Sequence, residues 1–306
     1  MISRNFNFLI YSKKGLRLIW PILGVVLLIV IGEVLFVDPF GRLLSILGLS
    51  KVTSTIAQNW SESLGGSLKR IFRSIAVVVS ILLVLKHLLN KSHSYIGIDF
   101  SKKRLKDVFI GIGFGFLVQI ISIILMKSFG WFELTGYSWN FHPSSFFLPA
   151  ILFLITYCIE TGIIEEIIFR GFLLRIFEDR YSTKIAVIVS SAFFGLMHFS
   201  GLNNEFAWWM SIISSFAVGL VFTQAFLFSR SLWLPFGFHA GWHLAMSLLG
   251  SDGLNYNEAI FLVTKVSGPA FFVSTKAGGA GLFELIGVLT VSLILYLIQK
   301  RFAINI

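Results

Sequence analysis

The chain is poor in charged residues, which make up 13% of its 306 positions, whereas hydrophobic residues make up 56%. Soluble domains carry roughly 25% charged residues. A chain of this length with about half that share, and with a mean hydropathy of +0.85, lacks the charge for an ordinary water-facing surface. We therefore expect most of its surface to face lipid.

Cysteine is almost missing. The single residue, Cys158, excludes a disulfide within the chain, so cysteine usage does not indicate a redox compartment. Internal repeats, a phosphate-binding loop pattern and the HExxH zinc motif are absent as well. The informative features are therefore the long apolar segments and the few ionisable residues inside them.

A helix needs about 20 mostly apolar residues to cross the hydrocarbon core of a bilayer. Eight segments of the sequence meet this requirement and lie near 18–37, 71–89, 107–126, 146–169, 184–200, 207–228, 231–250 and 283–299. The longest stretches between them are 38–70 and 251–282, and neither predicts a soluble domain. We predict an all-α, polytopic membrane protein of about eight transmembrane helices, with residues 1–306 forming one integral membrane domain.

The basic residues are distributed unevenly between the predicted spans. With the N-terminus inside, cytoplasmic segments hold seventeen of the 25 Lys and Arg residues and the opposite side holds seven, leaving Arg73 uncounted at the start of a span. This bias favours a multi-pass protein of the cell membrane with both termini in the cytoplasm. It also explains the net charge of +10 without nucleic acid, so the expected partners are membrane lipids.

Ionisable residues inside a span are costly and are candidates for function. The fourth span contains Glu160, Glu165, Glu166 and Arg170. Glu166 and Arg170 are four residues apart and share a helical face, which predicts a salt bridge. Glu165 has no such partner in its own helix and is expected to meet a group on another helix, either for chemistry or for a packing hydrogen bond. Glu160 belongs either to the site or nearer the outer face, and we favour a supporting role.

Three histidines also lie in predicted spans. His198 follows Phe194 by four residues, and a phenylalanine there more often packs than does chemistry. His239 and His243 are four apart and project from one side of their helix. This spacing is common among metal ligands, but without HExxH it is a weak indication of metal. A lone histidine within the membrane is also often a packing residue.

The predicted depths allow Glu165 and the histidines to face one polar cavity that opens to the cytoplasm. Hydrolysis of a peptide bond in a membrane needs an activated water and donors for the oxyanion. A carboxylate and a histidine on neighbouring helices can bind and deprotonate water, and two further imidazoles can stabilise the negative charge.

The motifs Glu165-Glu166-x-x-x-Arg170, Phe194-x-x-x-His198 and His239-x-x-x-His243 occur in this order on separate predicted helices. This arrangement resembles the CPBP family of CAAX proteases and bacteriocin-processing enzymes, also called the Abi family, which includes the Ras-converting prenyl endopeptidases. The resemblance covers roughly residues 146–250, the core of the chain.

The resemblance implies an eight-helix fold with a cavity open to the cytoplasm. It implies that Glu165 and His198 activate water and that His239 and His243 form the oxyanion site. Family members often have asparagine where this chain has His243, which makes a zinc ligand set of Glu165, His198, His239 and His243 more conceivable. Members are commonly labelled metalloproteases, while a metal-free mechanism has also been argued, so zinc and no cofactor both stay open. Glu166, Arg170 and Phe194 are expected to support the site.

The leading hypothesis is therefore an intramembrane endopeptidase acting on a peptide or lipidated protein near the cytoplasmic face. A non-catalytic scaffold or bacteriocin self-immunity protein is the first alternative, since it would keep the fold without the chemistry. A proton-coupled transporter is the second. It predicts paired helix interruptions in two halves of the chain, and none is evident in the sequence.

Overall fold

The computed structural model describes residues 11–12, 15–16, 18–49, 60–199, 205–251, 253–254, 259–273 and 280–304. Its helices are α1 (Ile19–Ile46), α2 (Trp60–His87), α3 (Lys103–Ser128), α4 (Phe147–Glu166), α5 (Leu174–Glu178), α6 (Thr183–Met197), α7 (Glu205–Ser229), α8 (Trp233–Leu249) and α9 (Leu282–Ile304). Two short antiparallel pairs complete the fold, β1 (Tyr11–Ser12) with β2 (Gly15–Leu16) and β3 (Phe132–Tyr137) with β4 (Leu262–Val266).

The all-α, multi-pass membrane fold is confirmed. Within the described residues, five helices are long and apolar enough to cross a membrane by length and composition, namely Ile19–Ile46, Lys103–Ser128, Ser144–Glu178, Trp209–Ser229 and Leu282–Arg301. Helix α6 is apolar but shorter. Each of the eight predicted segments coincides with a helix, while the number of membrane crossings stays a prediction.

The stretch 38–70, which the sequence analysis places between two predicted spans, is helical at both ends. Its first residues continue α1 to Ile46, and its last residues belong to α2, which begins at Trp60. Asp38, Lys69 and Arg70 lower the local hydropathy of this stretch, and their charges are paired in the folded chain. The stretch 251–282 contains β4.

Helices α3 and α8 approach each other closely enough for their backbones to touch. A Cβ atom on Gly111 would lie 2.4 Å from the carbonyl oxygen of Leu234, and one on Gly115 would lie 2.2 Å from the Trp242 nitrogen. On α8, a Cβ atom on Gly237 would lie 2.2 Å from the Val108 carbonyl oxygen. Gly111 and Gly115, with the GxxxG spacing, therefore allow close packing, and α3 thereby fixes the position of the helix that carries His239 and His243.

Helix α4 continues into α5 through a buried π-helical segment, Ile167–Leu173. A π-helical turn displaces the usual i→i−4 backbone bonds and is frequent at functional sites. The carbonyl of Phe169 accepts the backbone N–H of Leu174 and also a hydrogen bond of 2.9 Å from the Ser190 hydroxyl of α6. This contact holds α6 against the end of α4, where the carboxylates lie.

Candidate active site

Four polar side chains from three separate parts of the chain meet at the end of α4. Glu165 Oε2 lies 3.7 Å from Nε2 of His198 and 3.8 Å from Nε2 of His239. The Nε2 atoms of His239 and His243 are 3.2 Å apart. The structure therefore brings together all four residues that the sequence singled out for catalysis.

Glu165 and His198 are partly accessible, with side chains 26% and 28% exposed, against 5% for His239. Glu165 Oε2 is itself buried and accepts no hydrogen bond from the described protein residues. A buried carboxylate oxygen normally has a partner. This oxygen, which points between two imidazoles, is thus suited to receive a hydrogen bond from water or substrate.

The orientation of His198 follows from its position at the end of a helix. It is the C-cap residue of α6, and its Nδ1 lies 2.7 Å from the carbonyl oxygen of Phe194. A carbonyl oxygen can only accept, so Nδ1 donates and, in the neutral ring, Nε2 carries the lone pair. That lone pair is on the nitrogen nearest Glu165.

Glu166 joins two elements of the site. Its Oε1 accepts a hydrogen bond of 2.9 Å from Arg170 and lies 3.0 Å from Nδ1 of His239. Glu166 is 1% exposed and Arg170 is fully buried. The salt bridge expected from the spacing is present, but the contact with His239 could not be read from one helix because it joins α4 to α8.

Phe194 lies at the centre of this arrangement. Its ring lies 4.3 Å from the Arg170 guanidinium carbon, and the ring centroids of His198 and His239 are 4.5 Å and 6.1 Å away. The guanidinium also donates to the Gly219 carbonyl oxygen at 3.1 Å. Phe194 therefore packs against both histidines and against the cation that holds Glu166.

Glu160 does not join the histidines. It is 6% exposed and pairs with two arginines of α2, Arg70 at 2.5 Å and Arg73 at 3.4 Å. Arg73 also binds Glu33 of α1 at 2.7 Å. Glu33, inside the first apolar segment, was the overlooked signal that a buried partner was needed.

Tyr157 is a further neighbour of the site that the sequence analysis missed. Its ring packs edge-on against His243 at 5.4 Å, and the Arg70 guanidinium carbon lies 5.0 Å from its centroid. Nothing in the sequence separates this tyrosine from the apolar residues around it. Through it, the ionic cluster of Glu33, Arg70, Arg73 and Glu160 reaches the site.

The four candidate ligands are not arranged as a metal site. In the part of the chain that the structure describes, no group of three or more His, Cys, Asp or Glu side chains has the geometry to hold a metal ion. Nδ1 of His239 faces Glu166, and its Nε2 faces His243 at hydrogen-bond distance. The side chains as placed do not fit zinc, and we assign no step to a metal.

One family of known proteins is similar to the part of the chain that carries these residues. Residues 147–245 match the family model described as type II CAAX prenyl endopeptidase Rce1-like. This segment contains all three motifs and the helices that carry them. Among curated proteins, none matches the chain.

Proposed function

The chain is a member of the CAAX protease family, CPBP, through its core at residues 147–245, and we propose that it hydrolyses peptide bonds with a water activated by Glu165 and His198. The family makes it a membrane endopeptidase in general terms. The roles of individual residues are our proposal. The observation that carries it is the pair of facing atoms, Glu165 Oε2 and His198 Nε2, at 3.7 Å.

Both facing atoms are acceptors, which suits them to one water molecule. A water between them donates one proton to the Glu165 carboxylate and the other to Nε2 of His198. Its lone pairs then point away from the two side chains, towards a substrate carbonyl carbon. Glu165 takes a proton as the new C–O bond forms, and later delivers it to the amine nitrogen as the C–N bond breaks.

We assign the oxyanion site to His239 and His243, with His243 as the donor, because Nδ1 of His239 donates to Glu166 and leaves a lone pair on its Nε2. Their Nε2 atoms are 3.2 Å apart, so a single proton lies between them. A substrate carbonyl oxygen that enters the site breaks this contact and accepts the hydrogen bond from that N–H group instead. Glu166 keeps the His239 ring in place during the exchange because it holds the other nitrogen, Nδ1.

The substrate is a peptide or a prenylated protein in the membrane, as the family implies. We propose that cleavage takes place near the cytoplasmic face of the cell membrane. The excess of basic residues on the predicted cytoplasmic segments supports this orientation.

The proposal is tested by cleavage of a farnesylated CAAX peptide by the purified chain in lipid nanodiscs, with products followed by mass spectrometry. Glu165→Gln and His198→Ala should each lower the rate by 10²-fold or more, since they remove the base or its partner. The matched control is Glu133→Gln, an exposed carboxylate on β3 opposite Lys265. Normal cleavage by the Glu165→Gln variant would overturn the mechanism.

A further inference from the structure

A second site lies on the outer surface of α2, away from the histidines. A cavity of about 680 Å³ opens where the last turns of α2 meet the segment that leads to α3. Val78, Leu82, Ile98 and Phe100 form its apolar wall, and Lys86 and Asn90 lie at its polar end. This end of α2 is the one that the charge bias assigns to the cytoplasm.

The cavity changes from apolar to basic along a single helical face. Val78, Leu82 and Lys86 are spaced four residues apart, so they line up over about 12 Å. Phe100, which is 80% exposed, extends the apolar wall outward. An apolar channel that ends in an ammonium group, at the end of α2 predicted to face the cytoplasm, matches an acyl chain followed by a phosphate.

The cation at the end of the channel is available for a ligand. Among the described residues Lys86 forms no ion pair, whereas Lys91, which also lines the cavity, lies 3.4 Å from Asp179. Basic pockets on the cytoplasmic side of membrane helices recognise anionic headgroups. A zwitterionic headgroup would bring its own cation towards Lys86 and lose this advantage.

We propose that this groove binds one anionic phospholipid, with an acyl chain along Val78 and Leu82 and the headgroup phosphate at Lys86. The site is separate from the catalytic residues and does not rest on the proposed function. The wall of the groove nevertheless touches the start of α8, since the Phe100 and Trp233 rings are 5.9 Å apart. A bound lipid would therefore brace the helix that carries His239.

The test is native mass spectrometry of the full chain in detergent, titrated with phosphatidylglycerol or with phosphatidylcholine of the same acyl chains. We expect one tightly retained phosphatidylglycerol and at least fivefold weaker retention of phosphatidylcholine. Lys86→Glu should weaken phosphatidylglycerol binding by fivefold or more. Lys103→Glu, an exposed charge reversal on α3 outside the groove, is the matched control and should leave phosphatidylglycerol binding unchanged.

Two further measurements distinguish binding of a lipid from binding of free phosphate, and the contribution of the acyl chain from that of the headgroup. Inorganic phosphate should not displace the bound lipid, because it makes none of the apolar contacts. Leu82→Trp fills the channel and should weaken both lipids. Equal retention of the two lipids, or unchanged phosphatidylglycerol binding by Lys86→Glu, would overturn the proposal, and displacement by phosphate would show an anion site in place of a lipid site.

Discussion

Glu166 and His239 are 73 residues apart in the chain, yet Oε1 of the glutamate lies 3.0 Å from Nδ1 of the histidine. Because the same oxygen accepts a hydrogen bond from the buried Arg170, the carboxylate is held on both sides. The imidazole is thereby turned so that Nε2 faces Glu165 and His243. Glu166 is in this sense a positioning residue.

Glu166→Gln should lower both stability and cleavage. The amide removes the negative charge beside Arg170, and breaking a buried ion pair by removing one partner costs about 3–5 kcal/mol. The double variant Glu166→Gln/Arg170→Met removes the uncompensated cation as well, so it should regain much of the lost melting temperature. Its cleavage rate should stay low, because His239 still lacks its anionic acceptor.

The measurements are thermal unfolding in detergent and the peptide cleavage assay, made on the same preparations. A purely structural role for Glu166 predicts that activity returns with stability in the double variant. That result would contradict the positioning role assigned to this carboxylate.

The close contact between α3 and α8 provides a second prediction. Gly115→Ala places a Cβ atom 2.2 Å from the backbone nitrogen of Trp242, which forces α8 to move. Overpacking of this kind costs about 1–3 kcal/mol, and the displacement should also lower cleavage because Trp242 is next to His243. Unfolding temperature and cleavage rate are the readouts.

Gly113→Ala is the matched control, since it lies on the same helix and a Cβ atom there meets nothing within 4 Å. It should leave activity unchanged and should stabilise the helix slightly. Equal effects of the two substitutions would show that helix propensity, and not backbone contact, explains the glycines.

The sequence predicted those features that depend on one helix or on the order of motifs. Helical spacing was enough to predict the Glu166–Arg170 salt bridge, and the three motifs were enough to identify the family. The contact of Glu166 with His239 could not be predicted from the sequence, because helical spacing says nothing about which helices become neighbours. The same reason hid the pairing of Glu160 with Arg70, which led the start of α2 to be read as a connection.

The ionic cluster beside the site provides a third prediction. Glu160 accepts from Arg70 and lies close to Arg73, so Glu160→Gln leaves two arginines of α2 with less compensation. We expect a loss of about 1–3 kcal/mol in unfolding free energy, because Glu160 is buried whereas its two arginine partners are partly exposed. Asp38→Asn is the control, because the Asp38–Lys69 pair is exposed and worth at most about 1 kcal/mol. Equal losses in both variants would contradict the structural importance of the cluster.

Two adjacent phenylalanines offer the sharpest comparison between packing inside the site and packing outside it. Phe194 is 2% exposed and packs on Arg170, His198 and His239, whereas Phe193 is 50% exposed. Phe194→Leu removes the ring under the guanidinium, a contact worth about 2 kcal/mol when desolvated. It should lower stability by about that amount and cleavage by more than tenfold, because both histidines lose a neighbour.

Phe193→Leu changes the same volume one residue earlier and should alter neither quantity appreciably, as is usual for substitutions outside the packed interior. Both variants are compared by thermal unfolding and by the initial rate of peptide cleavage. If Phe194→Leu lost stability but kept the full rate at a temperature where it is folded, Phe194 would support the fold without positioning the histidines. A matching loss of rate in Phe193→Leu would point instead to the surface of α6.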